Sequence, residues 1–231
     1  MQTNRRNRKY RYAVPIGGLF VAFAVLGVVA VIVFSFRLTN TVLDNSAEKK
    51  RFEDIIRPVV MFNPTPFENP ADIAPESLLQ YCMWATLLGE KRDTYHYSET
   101  GELIIPASDL NVSAARMFGD EITLEHKSFG DYETYYYYDE ENAVYNVPLA
   151  VLASVYTPSV ESIDKDGEFY KLTVGFVPSG VSWKTDFSGT REQPAFEKSM
   201  IFMMKKSKDS YTIAKVQDIP EQSAQQSAPA A

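Results

Sequence analysis

The stretch Ala13–Phe36 reads AVPIGGLFVAFAVLGVVAVIVFSF, 24 residues without one charge, and about 20 apolar residues suffice to cross a hydrocarbon core of about 30 Å. It is read as a transmembrane helix, because in lipid every backbone N–H and C=O must be satisfied within the segment, which a helix does alone. A cleaved signal would carry an apolar region of about 7–15 residues ending at a small-residue cleavage site. This run is longer and ends Val33-Phe34-Ser35-Phe36-Arg37, with no small-x-small pair. The only cysteine, Cys82, is too far on to serve as a lipoprotein anchor.

Charge sets the expected orientation. Arg5, Arg6, Arg8, Lys9 and Arg11 precede the helix with no acid among them, and cationic flanks stay in the cytoplasm. Beyond it, Arg37, Lys49, Lys50 and Arg51 are mixed with Asp44, Glu48, Glu53 and Asp54. The amino terminus is expected inside and the carboxyl-terminal part outside. Of the chain's 23 basic and 30 acidic residues, the first 36 positions hold five basic and no acidic ones, so the remaining 195 carry 18 against 30, a net charge of −12. Such a surface repels phosphate backbones, so nucleic acid is not an expected partner. A single cysteine cannot form an internal disulfide. Fourteen tyrosines, 14 phenylalanines and two tryptophans argue for an ordered core.

Residues 37–74 read as a juxtamembrane helix followed by a Pro-rich connection. Leu38, Val42, Leu43, Phe52, Ile55 and Ile56 have partly helical spacing, halted at Pro58, and Pro64, Pro66, Pro70 and Pro75 enforce extended chain. A folded domain is expected over 75–219, and a disordered Gln-, Ser-, Ala- and Pro-rich tail over 220–231. Pro75 opens a helix that is apolar nearly all round, hence buried, and Gly89 stops it. Tyr95–Tyr97 and Leu103–Ile105 form a hairpin, and a helix capped by Ser108 or Asp109 runs to Phe118 before Gly119. Strands are then expected over Ile122–His126, Glu133–Tyr138, Ala143–Val147, Ala150–Tyr156, Phe169–Val177, Lys198–Lys205 and Tyr211–Ile219. Hairpin tips fall at Asp139–Asn142, Asp164–Gly167 and Lys206–Asp209. Met200–Met204, apolar on both faces, belongs in a central strand.

Helices, a short hairpin, a further helix and then long antiparallel strands, over about Ala47–Ile219, resemble the nuclear transport factor 2-like fold. The resemblance implies an α+β class: a transmembrane helix followed by a helix-wrapped, curved antiparallel sheet shaped as a cone. The plan also resembles the bitopic assembly component of type IV secretion systems. Lys127-Ser128-Phe129-Gly130-Asp131-Tyr132-Glu133 and Val174-Gly175-Phe176-Val177-Pro178 are similar to stretches of uncharacterised single-pass membrane-anchored proteins of Gram-positive bacteria. None of these carries functional residues across.

No catalytic, metal or cofactor set emerges. The two histidines, His96 and His126, are far apart, and a catalytic zinc needs three protein ligands. Cys82 lies among Leu79, Met83 and Trp84 and reads as a core residue. No Gly-x-Ser-x-Gly elbow exists. Glu121 and Glu125 would share a strand face and could serve as acid or base only if buried. Asp164-Lys165-Asp166-Gly167-Glu168 places its glycine too early for a calcium loop, and Asn111-Val112-Ser113, a match to a glycosylation acceptor, falls in a helix.

Two aromatic features remain. In the run Tyr135–Tyr138, a period of two puts Tyr136 and Tyr138 on one side and Tyr135 and Tyr137 on the other, so one pair packs inward and the other meets solvent or a partner. Pro178–Phe196 is a long connection bearing Trp183 and Phe187, a candidate partner contact in which Trp183 alternatively plugs the open end of the sheet. Trp183, Phe187, Tyr135 and Tyr137 are the candidate partner contacts. The leading expectation is an extracytoplasmic protein-interaction or scaffolding domain on a bitopic membrane protein, bound to other envelope proteins and without catalysis. The alternatives are a ligand-binding or hydrolytic cleft in the cone, using Glu121, Glu125 and His126, and cell-wall polymer binding through the tyrosines.

Overall fold

A computed structural model of the chain describes residues 46–132, 134–148, 155–180, 184–185, 191–192, 195–207 and 210–219, together with 23, 26–29 and 31. The chain divides into two units, residues 1–48 and 49–231. In the first, positions 23, 26–29 and 31 are helical and exposed; the rest of the predicted span 13–36 lies outside the described residues. Among the described residues no helix is long and apolar enough to cross a membrane.

The second unit is α+β. It opens with α1, helical over 49–60. Phe52, Ile56, Val59 and Val60 are fully buried, at the i, i+4, i+7, i+8 spacing of an amphipathic helix. The Phe52 ring lies 4.6 Å from Tyr211 and 5.8 Å from Tyr170. The helix does not halt at Pro58 as expected but runs on to residue 60. Proline removes one backbone donor; in the last turn that loss is offset by burying Pro58, Val59 and Val60. The Pro-rich connection is extended, and Phe67 exchanges two backbone hydrogen bonds with Val216, each 2.9 Å. A 3-10 turn, Pro70–Asp72, follows with its amide capped by the Asn69 side chain.

Helix α2, Pro75–Leu87, starts at its proline and buries Leu78, Leu79, Tyr81, Cys82, Met83 and Thr86. Its circumference is not wholly covered, since Trp84, Ala85 and Leu87 are half-buried. A 3-10 turn, Glu90–Thr94, leads to strands β1 (His96–Tyr97) and β2 (Leu103–Pro106). Helix α3, Ala107–Phe118, has no side-chain cap. The expected capping group Asp109 is engaged elsewhere, with Lys91 and Tyr95. Gly119, at φ +102°, ends the helix.

The expected strand Ile122–His126 is absent. The segment is extended coil in which Leu124 is buried while Glu121, Thr123 and Glu125 are exposed; the alternation there reflects a path across the core with no neighbouring strand to pair. Strands β3 (Phe129–Gly130), β4 (Tyr135–Asp139) and β5 (Val144–Val147) join the hairpin in an antiparallel sheet of order β1-β2-β5-β4-β3. Strands β6 (Tyr156–Asp166), β7 (Phe169–Pro178), β10 (Lys198–Ser207) and β11 (Ser210–Asp218) form a second, ordered β11-β10-β7-β6. The described strands thus make two main sheets, not the single curved one expected. Between β7 and β10 the long connection holds a short antiparallel pair, β8 (Lys184–Thr185) and β9 (Arg191–Glu192).

Strand β10 is central, as its two-sided apolar pattern requires, with Met200, Ile201, Phe202 and Met204 buried. Strand β6 was not foreseen over its length; most of the expected strand Ala150–Tyr156 lies outside the described residues. β6 is the edge strand, which accommodates Pro158, and Tyr156, Pro158 and Val160 face inward. Its register shifts between Val160 and Ser162, and α1 covers this irregular edge: Glu53 Oε1 accepts from Val160 N–H at 2.9 Å and Lys49 Nζ donates to the Glu161 carbonyl at 2.7 Å. An open edge is thereby blocked to pairing with another chain. One core joins α1, α2, α3 and both sheets.

Candidate functional site

Strand β4 divides its tyrosines as the period of two demands. Tyr136 is buried and stacked on Phe129 at 4.7 Å, and its hydroxyl accepts from Trp84 Nε1 at 3.1 Å. Tyr135 and Tyr137 stand outward at 55% and 54% exposure, beside fully exposed Tyr132. Register places Tyr137 opposite Asn146, Asn146 opposite Ile104, and Ile104 opposite His96, so the outward face carries a row free of carboxylates, lysines and arginines across four strands. Of the four candidate contacts, Tyr135 and Tyr137 come together there; Trp183 and Phe187 lie outside the described residues.

The carboxylates proposed for a cleft do not converge. Glu121 and Glu125 are exposed on coil. Cys82 is buried, and burial pushes its thiol up to about 12, which makes it inert. Met200 fills core space, and no cluster of three or more metal-ligating side chains occurs among the described residues.

His126, half-buried, ties three elements together. Its Nε2 lies 3.1 Å from Asn111 Oδ1 on α3, and its Nδ1 lies 3.0 Å from the Tyr145 hydroxyl on β5. Since Asn111 Oδ1 only accepts, Nε2 carries the proton, and the single Tyr145 hydroxyl proton is shared between Nδ1 and the Lys127 carbonyl 3.4 Å away. Tyr138 stacks on the ring at 5.5 Å. Burial lowers the His126 pKa from its ordinary value and raises that of Tyr145. The imidazole is therefore neutral near pH 7. A histidine with a lowered folded pKa binds its proton more readily when unfolded. Its contribution is complete above the unfolded value of about 6.5 and is lost as pH falls below it. The urea midpoint of the native chain is expected to drop between pH 7.5 and pH 5 by more than that of His126→Gln; equal drops would remove His126 from the acid response.

A second polar cluster, which sequence reasoning did not identify, lies between α2 and α3. Asp109 accepts from Lys91 Nζ at 3.0 Å and from the Tyr95 hydroxyl at 2.9 Å. Partial burial pushes the Asp109 carboxyl up, but both hydrogen bonds and the Lys91 charge outweigh it and hold its pKa below the ordinary value. Burial, with the Asp109 hydrogen bond and charge, raises Tyr95. The cluster borders a cavity of about 170 Å³. Its sequence signal is Asp109, Ser113 and Arg116, at helical spacing on one side of α3.

No protein-family model, curated protein or solved structure matches this chain.

Proposed function

We propose that this chain is a bitopic membrane protein, anchored by Ala13–Phe36, with an acidic extracytoplasmic domain that serves protein interaction or scaffolding and performs no chemistry. The carrying observation is the pair Tyr135 and Tyr137, held outward on a strand whose intervening residue, Tyr136, is locked in the core. Tyrosine supplies a large, rigid contact at low entropic cost and is enriched among interface hot spots. The basic tail before the anchor supports a cytoplasmic amino terminus, and the −12 balance after it turns nucleic acid away and favours envelope proteins as partners. Kinship with single-pass proteins of Gram-positive bacteria belongs to the same reading, as do the segments 1–12, 13–36 and 220–231; the folded domain expected over 75–219 begins instead at α1, because Phe52, Ile56, Val59, Val60 and Phe67 share its core. So does the nuclear transport factor 2-like cone, which is supported by the order α2, hairpin, α3, strands and by α3 packing on β11.

The test is cross-linking in native membranes followed by capture of the full chain. The double substitution Tyr135→Ala/Tyr137→Ala is expected to weaken capture of a cross-linked envelope protein about 30-fold, the equivalent of about 2 kcal/mol, while leaving the unfolding midpoint nearly unchanged. Capture equal to that of the native chain would assign the tyrosines a structural role only. Protease added to intact cells should cleave the domain; complete protection would withdraw the extracytoplasmic address.

A further inference from the structure

We propose that the groove between α2 and α3 binds a small zwitterionic α-amino acid, with Arg116 taking its carboxylate and Ser113 and Glu90 its ammonium. The groove is open to solvent on one side, has a volume of about 170 Å³ and is lined by Ala85, Glu90, Val112, Ser113 and Arg116, among others.

The assignment follows from which groups are already committed. Asp109 has both carboxylate oxygens occupied, one by Lys91 and one by Tyr95, so its charge cancels that of Lys91 and neither dominates the groove. Thr86 Oγ1 donates to the Cys82 carbonyl at 2.8 Å. In its 2.7 Å contact with Ser113 the serine is therefore the donor, which leaves the Ser113 oxygen able only to accept from a ligand. Gly89 N–H goes to the Thr86 carbonyl at 3.1 Å, which leaves the Ala85 carbonyl without its i+4 donor and adds a second acceptor on the α2 wall. Arg116 is exposed in the last turn of α3 with no hydrogen-bond or ion-pair partner among the described residues, so its five donors remain to be used. Glu90 is the matching exposed carboxylate.

A ligand with one charge satisfies half of this set. A bare carboxylate would meet Arg116 but set its negative charge beside Glu90 and the two acceptors. A bare amine would leave Arg116 unused. Ser113 and Arg116 are three residues apart on one helix, which brings their Cβ atoms to about 5–6 Å. Both therefore border the same stretch of the groove, Ser113 presenting an acceptor and Arg116 a donor fork for the two ends of one zwitterion. Val112, half exposed at the mouth of the groove, offers an apolar contact for the ligand's side chain. The site stands independently of the membrane reading.

The experiment titrates the purified full chain in detergent with alanine, ethylamine and propionate by calorimetry, the last two each keeping one of alanine's charges. Alanine is expected to bind at millimolar concentration, with both analogues at least about 10-fold weaker, because each forfeits charge-assisted hydrogen bonds. Arg116→Gln should lower alanine affinity at least about 10-fold, with Arg116→Lys retaining part of it, since lysine keeps the charge but not the fork. Ser113→Ala should lower it less. Absence of alanine binding would overturn the proposal. So would propionate or ethylamine binding as well as alanine does, or Arg116→Gln binding alanine as tightly as the native chain.

Discussion

Phe52→Ala is expected to destabilise the domain by about 3–5 kcal/mol. At about 2–4 °C per kcal/mol for a domain of this size, the melting temperature should fall by about 10 °C. Phe52 is fully buried and its ring meets Tyr211 at 4.6 Å and Tyr170 at 5.8 Å. Truncation removes both aromatic contacts and opens a void that Ile56 and Val60, fixed on the same helix, cannot collapse to fill. Phe52→Leu retains part of the volume and should cost less. The same reasoning extends to a chain beginning at residue 75. It would lack α1, the Phe67–Val216 bridge and the Glu53 cover over the β6 edge, and is expected not to unfold cooperatively. Chemical denaturation of these chains measures the effect. An unaltered midpoint for Phe52→Ala would show α1 to be a linker resting on the surface.

The parts of this fold legible in the sequence are those with local causes. Pro75 opens α2 because proline suits a first helical turn; Gly89 follows its end at φ −76°, where a Cβ would come within 3.2 Å of the Ala85 and Thr86 carbonyl oxygens, whereas Gly119 leaves α3 at φ +102°. The Tyr135–Tyr138 alternation is a consequence of strand geometry alone, so its inward and outward pairs could be read directly. The hairpin tip at Asp139–Asn142 follows from Asp139, whose carboxylate accepts from the backbone amides of Glu141 and Asn142.

What escaped depends on non-local partners. Ile122–His126 has a strand's alternation but no strand beside it, and only tertiary packing decides that. Strand β6 carries Pro158 and polar outward residues, which local propensity counts against it, yet pairing with β7 and the cover from α1 hold it. The division into two sheets is a matter of which strands pair over long separations. The α2–α3 groove is likewise illegible: Lys91 and Asp109 are 18 residues apart, as the ion pair records, and nothing near either one announces the other. Ser113 and Arg116 could have been noted as sharing a helix face, but only packing of α2 against α3 turns that face into a cavity wall.

Gly130→Ala is expected to cost at least about 2 kcal/mol, from left-handed backbone strain and overpacking together, and to abolish β3. Gly130 sits at φ +117°, and a Cβ there would fall 2.2 Å from the Thr134 carbonyl oxygen and 3.1 Å from Tyr135 Cα. These are backbone atoms pinned by the turn itself: Asp131 N–H donates to that same carbonyl at 3.0 Å and Thr134 N–H donates to Asp131 Oδ1 at 2.9 Å. Relief therefore requires opening the turn, which releases Phe129 from its stack on Tyr136. Gly167→Ala is the matched comparison, since Gly167 also has positive φ, +62°, but nothing within 4 Å of its missing Cβ; it should cost about 1–2 kcal/mol, the intrinsic penalty of the left-handed region. The urea midpoints of the two variants separate the contributions, and amide hydrogen exchange over Tyr136–Tyr138 should accelerate in Gly130→Ala alone. Because Gly130 pairs with Tyr135, the variant should also lose partner capture through the exposed tyrosines, whereas Gly167→Ala retains it. Equal midpoints for the two alanines would mean that the 131–134 turn yields without resistance, and that the outward placement of Tyr135 and Tyr137 does not depend on it.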